Sequence, residues 1–221
     1  MKIELIDHMG SDNSVVDAAR VSFEKLSTNY TDHENSRLIT YLAYNGHWSP
    51  FTHQFITFRI KAPVFVARQL AKHQVGFAWN EVSRRYVDSD PEFYMPDYWR
   101  KRAPSIKQGS SEDIVFIEPM LDMETDTGCV HLPSELFEAA KETYKGLLSL
   151  GVCPEQARMV LPQAAMTEWI WSGSLYAWSR MCKLRLDKHT QQETREVAAA
   201  ISKLIEPLFP LSWKVLTDGH E

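Results

Sequence analysis

The chain has 221 residues, of which 44% are hydrophobic and 24% charged, and its formal net charge is −5. A chain of this size and composition predicts one globular domain that buries roughly 70% of the surface of the unfolded chain. The acidic balance argues against a general nucleic-acid binder, because such proteins are usually basic.

The cysteines and the apolar runs indicate the cellular compartment. Cys129, Cys153 and Cys182 are odd in number, widely spaced and without a CxxC pair, a pattern typical of reduced intracellular proteins. The start MKIELIDHMGSD lacks the apolar run of a signal peptide, and no window reaches the ~18 apolar residues of a membrane helix. We therefore expect a soluble cytoplasmic protein that binds neither membranes nor nucleic acids.

The N-terminal part predicts two strands and two helices. Residues 2–7 (KIELID) alternate apolar and polar side chains, as an edge strand does. Residues 15–23 (VVDAARVSF) predict a short helix. Asp32 is the predicted cap of a second helix, which Gly46 closes at the C′ position. Residues 54–62 (QFITFRIKA) alternate again and predict a half-buried strand.

A helix with a polar face is expected next. Pro63 suits the first position of a helix that runs to His73. Within it, Arg68 and Lys72 are four residues apart, as are Gln69 and His73, so these side chains are predicted to form one adjoining polar patch. The following VGFAWNE breaks the pattern and predicts a turn that brings SRRY back toward the helix.

The second half of the chain predicts a loop-rich region followed by helices. Residues 88–132 are rich in Pro, Asp and Ser, and KQGSSED within them is the best candidate for a mobile loop. Residues 134–151 are an amphipathic helix closed by a terminal glycine, and another helix begins behind Pro154. A final long helix is expected over about 187–205, with Pro207 ending it.

The order of these elements defines the fold class. Strands are few, helices come in blocks, and strands and helices do not alternate regularly, which predicts an α+β fold. We expect a single domain over residues 1–221 with a mobile insertion around residues 104–130.

One triplet has the chemistry of a phosphate site. Ser83, Arg84 and Arg85 supply a hydroxyl and two guanidinium groups within one turn, and guanidinium forks bind phosphate in a bidentate manner. The alternative is a solvated surface triplet, which is the commoner role of such residues.

Five blocks in order make a more specific pattern. They are AARVSF, GHWSPFTH, FVARQLAKHQ with NEVSRRY, ARMVLP with Arg158, and LRLDKHTQQETR. Together they resemble the motifs of flavin-dependent thymidylate synthases over nearly the whole chain, apart from residues 88–132. The family's RHR triplet corresponds to KHQ here, and its GHxTPFEH-like run to GHWSPFTH.

The resemblance implies a fold, a reaction and partners. It implies a single α+β domain with an antiparallel sheet flanked by long helices, assembled as a homotetramer whose active sites are shared between subunits. It implies binding of FAD, dUMP, methylenetetrahydrofolate and NADPH. The reaction would convert dUMP to dTMP, with the hydride supplied by reduced flavin, so that the folate leaves as tetrahydrofolate.

The same resemblance implies roles for individual residues. Arg185 would lie on the uracil ring as the catalytic residue, since a fixed cation stabilises charge that develops on the pyrimidine. The residues implied in dUMP binding are Gln69, Lys72, Glu81, Ser83, Arg84, Arg85, Arg158 and Arg185. Those implied in cofactor binding are Ser22, His47, Ser49, Lys72, His73, Gln74, Glu81, Ser174, Tyr176 and Arg180.

Departures from the family pattern affect mainly the flavin residues. KHQ replaces two guanidinium groups by an ammonium and an amide, and the spacer to Ser83 is one residue longer than is usual. Thr52 stands in place of a Glu, and Ser174 and Tyr176 in place of an Asn-x-Arg. Structural roles are alternatives for single residues: a salt bridge for Arg158, a helix cap for His47 and a turn hydroxyl for Ser22.

Three other classes of function compete with this interpretation. A thiol enzyme would use Cys153, for which the alternative role is a small N-cap residue before a proline. A single-strand binding module would stack bases on Phe77, Trp79 and Tyr86. Only His189 and Glu193, which are four residues apart in HTQQE, favour a metal site, and we predict no metal.

Overall fold

The computed structural model describes residues 1–103, 110–116 and 132–218. The strands in these ranges are β1 Lys2–Met9, β2 Phe55–Pro63, β3 Phe77–Glu81, β4 Trp99–Arg100, β5 Ile114–Val115 and β6 Met166–Ser174. The α-helices are α1 Asp12–Arg20, α2 Asp32–Tyr44, α3 Val64–Leu70, α4 Pro133–Ser149, α5 Pro154–Ala157, α6 Leu175–Arg185, α7 Gln192–Ile205 and α8 Pro210–Thr217. Short 3₁₀ segments join several of them.

The main sheet is antiparallel and has four strands in the order β1-β2-β6-β3. A second, two-stranded antiparallel sheet pairs β4 with β5. The predicted α+β class is therefore confirmed, and β1 lies at an edge of its sheet as its alternating sequence predicts. No helix in the described ranges is both long enough and apolar enough to cross a membrane.

The chain divides into two compact units. The first contains Met1–Ile60, Gln69–Asn80 and Trp169–Glu221, and the second contains Lys61–Arg68 and Glu81–Glu168. The prediction of a single domain over the whole chain stays a prediction. Most of the predicted insertion around 104–130 lies outside the described residues.

The core of the first unit is built on the alternation of β2. Ile56, Phe58 and Ile60 are fully buried, as the sequence pattern predicts. Trp178 of α6 packs edge-on against Phe58, with ring centroids 5.0 Å apart, and its indole N–H donates to the carbonyl of Ile56 at 3.2 Å. Trp171 of β6 is also fully buried and lies 4.7 Å from the Trp178 ring.

The caps of α2 correct one prediction. Thr31, not Asp32, is the N-cap residue: its hydroxyl accepts the backbone N–H of Glu34 at 3.3 Å. The Glu34 carboxylate in turn accepts the Thr31 N–H at 2.9 Å, and these bonds lower the pKa of Glu34. This reciprocal capping box satisfies two donors at the helix start, which Asp32 one position later does not. Gly46 follows the helix with φ +68°, as predicted for the residue after a C-cap.

The second unit is built on α4. The helix starts at Pro133 and ends at Ser149, and Gly151 has φ +85°, so the predicted amphipathic helix and its glycine end are confirmed. Phe137 of α4 stacks on Phe93 with centroids 5.1 Å apart. Lys61 at the end of β2 pairs with Glu92 at 2.7 Å.

Several predicted element boundaries are wrong around the candidate site. Pro63 is the last residue of β2, and α3 ends at Leu70, so Lys72 and His73 lie beyond the helix and the predicted i, i+4 patch does not form. VGFAWNE is not simply a turn, because β3 begins at Phe77 and pairs with β6.

The C-terminal helices also differ from the prediction. The helix behind Pro154 ends at Ala157, and the sequence reading missed β6, α6 and α8. The predicted helix over 187–205 begins five residues later, at Gln192.

Candidate active site

A group of polar side chains surrounds an open cavity of about 430 Å³ in the second unit. Glu81 ends β3, and the Val82 N–H donates to the carbonyl of Glu168 in the strand beside it. The chain then turns sharply, since the N–H groups of Tyr86 and Val87 both donate to the carbonyl of Ser83. The residues lining the cavity are Glu81, Val82, Ser83, Arg85 and Arg158.

The side chains of this cavity are pre-arranged by hydrogen bonds within the protein. Arg85 donates from Nε to the Ser83 hydroxyl at 3.2 Å, so the hydroxyl and the guanidinium act side by side. Arg158 follows α5 at the start of a 3₁₀ segment, and its Nε donates to the carbonyl of Glu155 at 3.3 Å. The Glu81 carboxylate accepts the Thr167 hydroxyl at 2.7 Å. Two cations and a hydroxyl around one opening suit an anion such as a phosphate.

Arg84 points to a different part of the second unit. Its Nη1 donates to the carbonyl of Ser89 at 2.9 Å, and its guanidinium lies 5.7 Å from the ring of Tyr144. It lines a larger cavity of about 540 Å³, to which Glu81 and Arg158 also contribute. The predicted dUMP residues of this unit are therefore close together, with Arg84 in the adjoining cavity.

In the first unit, Arg185 is bound by the end of α3 and by the segment that follows it. Its Nε donates to Nε2 of His73 at 2.9 Å, and its Nη2 donates to the backbone carbonyl of Gln69 at 2.9 Å. Burial lowers the pKa of Arg185. Burial also lowers the pKa of His73, to about 4, and the charges of Arg185 and Arg180 act in the same direction. His73 is therefore a neutral imidazole beside two guanidinium groups.

The side chain of Gln69 is held by α7 and its N-cap. Its amide N–H donates to Gln191 at 2.5 Å, and its amide oxygen accepts the Thr194 hydroxyl at 3.1 Å. Both ends of the Gln69 amide are therefore hydrogen-bonded within the protein. Sequence reasoning missed Gln191 and Thr194 as contributors, although both lie in the block LRLDKHTQQETR.

The predicted cofactor residues line two further cavities of the first unit. His47, Trp48, Tyr176 and Arg180 line one of about 290 Å³, in which the Trp48 and Tyr176 rings lie 6.3 Å apart. Lys72, His73, Gln74 and Arg180 line the other, of about 170 Å³. Trp48 was not predicted, although an exposed aromatic residue within GHWSPFTH is itself a signal of binding.

Three predicted cofactor residues are placed differently. Ser174 is the N-cap of α6: it is 4% exposed, and its hydroxyl accepts the Ala177 N–H at 3.2 Å. Ser22 lies in an exposed 3₁₀ segment, and Ser49 accepts the Thr52 hydroxyl with its carbonyl at 2.6 Å. Neither of these two serines is among the residues that line the described cavities.

The competing interpretations lose support. Phe77 and Trp79 pack on Trp171 and Trp169, with centroids 4.7 and 4.5 Å apart, so their rings contact the protein's own core. His189 precedes α7 and pairs with Asp187 at 2.9 Å, so the predicted helical i, i+4 pair with Glu193 is wrong.

Two of the three cysteines, Cys153 and Cys182, lie in the described part of the chain. Cys153 is exposed at the N-cap of α5, and Cys182 is buried, which raises the pKa of its thiol.

Comparison with known proteins places this arrangement in a family. The family described as "Thymidylate synthase complementing protein" matches residues 4–211. The flavin-dependent thymidylate synthase of Kosmotoga olearia is 37% identical over 212 residues, covering 96% of this chain and 88% of that protein. That of Thermus thermophilus is 37% identical over 211 residues, covering 96% and 73%.

A solved structure agrees with the sequence relatives. The UMP/dUMP methylase PolB from Streptomyces cacaoi, bound with 5-Br dUMP, superposes with a TM-score of 0.81 at 30% identity, covering 98% of this chain and 94% of that one. The chain therefore belongs to the family of flavin-dependent thymidylate synthases, as its five sequence blocks predict.

Proposed function

We propose that this protein is a thymidylate synthase that converts dUMP to dTMP, with methylenetetrahydrofolate as methylene donor and a hydride derived from NADPH and carried by FAD. The observation that carries the proposal is the meeting of Ser83, Arg85 and Arg158 around one cavity of the second unit. Arg158 is 73 residues from Arg85 in the chain, and all three residues belong to the blocks that resemble the family.

The phosphate of dUMP is assigned to this cavity. Ser83 and Arg85 are already bonded to each other, so a phosphate oxygen meets a hydroxyl and a guanidinium without a large rearrangement. Arg158 adds a second positive charge, and Glu81 adds an acceptor for a nucleotide hydroxyl or N–H. Arg84 supports the turn through its bond to the Ser89 carbonyl.

The pyrimidine ring is assigned to Arg185. Its guanidinium is partly buried and has two bonds to the protein, so its charge is fixed in place. Such a cation stabilises negative charge that develops on the uracil ring during transfer at C5. No enzyme nucleophile is needed, and Cys153 has no part in the reaction.

The flavin dinucleotide is assigned to the predicted cofactor residues of the first unit. The cavity with Trp48, Tyr176 and His47 offers aromatic and imidazole surfaces to a flat ring, and the cavity with Lys72 offers an ammonium group to a pyrophosphate. Arg180 contributes to both cavities and compensates in part for the guanidinium groups that KHQ lacks. When bound, FAD supplies the hydride that completes the methyl group.

The assembly is proposed to be a homotetramer in the cytoplasm, with NADPH as reductant. Exposed apolar residues support burial against another subunit, because Val21, Phe23 and Leu26 are 68, 75 and 57% exposed. Folate is proposed as the methylene donor on the strength of family membership.

The test is the flavin chemistry of the purified protein. We expect bound flavin to absorb in the blue and NADPH oxidation to depend on dUMP and methylenetetrahydrofolate, with UMP assayed in parallel. A colourless protein that does not bind FAD, or NADPH oxidation unaffected by any nucleotide, would contradict the proposal.

A further inference from the structure

Arg185 is held by two acceptors of one short segment. Nε donates to Nε2 of His73, and Nη2 donates to the carbonyl of Gln69, each at 2.9 Å. Because a guanidinium is planar and its donors form a rigid fork, two bonds to different nitrogens fix both its position and the orientation of its plane. Neither of these two bonds uses Nη1.

The bond to His73 requires one particular form of the imidazole. Arg185 Nε always carries a hydrogen, so the facing Nε2 of His73 must be unprotonated and the ring proton must be on Nδ1. A protonated imidazole would present an N–H to an N–H and break the contact.

The surroundings of His73 favour the neutral ring. Among the described residues, the charged groups around His73 are Arg180 and Arg185 of α6 and Lys72, which precedes His73 in the chain, and all three are cations. Gln69, which supplies the second acceptor, is anchored by the neutral side chains of Gln191 and Thr194. Nearby positive charge disfavours an additional proton, so the acceptor form persists.

We propose that His73 is a positioning residue that, as a neutral Nδ1–H tautomer, fixes the guanidinium of Arg185 together with the carbonyl of Gln69. The middle residue of KHQ then acts through Arg185, rather than only as the flavin contact that the family resemblance implies. The consequence for catalysis rests on the proposed function, because it assumes that the ligand of Arg185 is dUMP.

The first test is spectroscopic and needs no substrate. In the ¹⁵N-labelled holoenzyme, we expect His73 to show an unprotonated Nε2 at pH 7 and the Nε–H of Arg185 to exchange slowly with water. In His73→Ala this exchange should become fast, whereas in His73→Gln, whose amide oxygen reaches a similar position, it should stay slow. A protonated Nε2, or exchange that is the same in His73→Ala as in wild type, would overturn the proposal.

The second test measures dUMP binding and turnover in the same variants. His73→Ala should lower kcat/KM for dUMP by about ten- to a hundred-fold, the effect of losing one hydrogen bond to a charged group, and His73→Gln should restore most of the loss. His33→Gln, a change of an exposed histidine on α2, is the matched control and should have no effect.

The outcomes separate the two proposals. A wild-type protein that makes no dTMP overturns the proposed function, while the Arg185 spectrum still decides the positioning role. A His73→Gln variant as impaired in turnover as His73→Ala, with Arg185 equally mobile in both, overturns the positioning role.

Discussion

At the residue scale, the arginines of the candidate site have two different environments. Arg85 and Arg158 are exposed at an open cavity, whereas Arg185 is partly buried and bonded to His73 and Gln69. Exposed guanidinium groups attract and bind an anion, whereas a fixed, desolvated one stabilises charge that develops during a reaction. The two environments therefore predict different kinetic effects of substitution.

Replacing Arg185 by Ala should nearly abolish dTMP formation. Loss of one pre-organised, positively charged hydrogen-bond donor lowers kcat by about 10²- to 10³-fold. Arg185→Lys should recover little activity, because an ammonium group cannot make both bonds of the guanidinium fork. Steady-state dTMP formation measures the effect, and Cys153→Ala should remain fully active. Full activity of Arg185→Ala would contradict the catalytic assignment.

Replacing Arg158 by Ala should act mainly on binding. We expect KM for dUMP to rise about ten-fold or more, as for the loss of a charge-assisted hydrogen bond, while KM for NADPH changes little. Arg37→Ala, which removes an exposed guanidinium from α2, is the control. An equal rise of both KM values would mean that Arg158 supports the fold rather than the phosphate.

The pKa of His73 predicts a pH dependence of stability. The pKa is about 4 in the folded protein and 6.5 in the reference state, so the unfolded chain takes up this proton first as the pH falls. The stability that the neutral form of His73 contributes is fully present above pH 6.5 and is lost as the pH falls toward 4. In urea unfolding, wild type should therefore lose more stability than His73→Gln between pH 7 and pH 5; equal losses would show that folding does not lower the pKa of His73.

At the element scale, alternation in the sequence predicts β1 and β2, but it does not predict β6, although the burial of β6 also alternates. The alternation of β2 predicts its strand correctly, whereas β3 has only five residues, and its pairing with β6 is not visible in its own sequence. The end of α3 was also missed. Helical spacing of polar residues continued to His73, but His73 bonds to Arg185, 112 residues away, and such a distant contact overrides local propensity.

The pairing of β3 with β6 depends on a glycine. A Cβ at Gly173 would lie 2.3 Å from Cδ1 of Phe77, so only glycine lets the aromatic ring of β3 cover β6. We expect Gly173→Ala to lower the free energy of unfolding by about 1–3 kcal/mol through overpacking.

Gly146→Ala is the matched control for this strand prediction. Gly146 lies in α4, and a Cβ there would meet no atom within 4 Å. The substitution should raise stability by up to about 1 kcal/mol through helix propensity. Thermal unfolding compares the two variants, and a Gly173→Ala protein as stable as wild type would contradict the close packing.

At the scale of the whole molecule, the family was readable from the sequence and the detailed geometry was not. Five blocks in order identified the family, and its match extends over residues 4–211. The blocks also identified Ser83, Arg85 and Arg158, which meet at one cavity. The anchoring of Gln69 by α7 was beyond sequence reasoning, because a side chain's partners depend on the tertiary fold.

The most direct measurement of the central claim is product analysis. Purified protein supplied with FAD, NADPH, dUMP and methylenetetrahydrofolate should form dTMP and tetrahydrofolate in equal amounts. Absence of dTMP, or formation of dihydrofolate in place of tetrahydrofolate, would contradict the account.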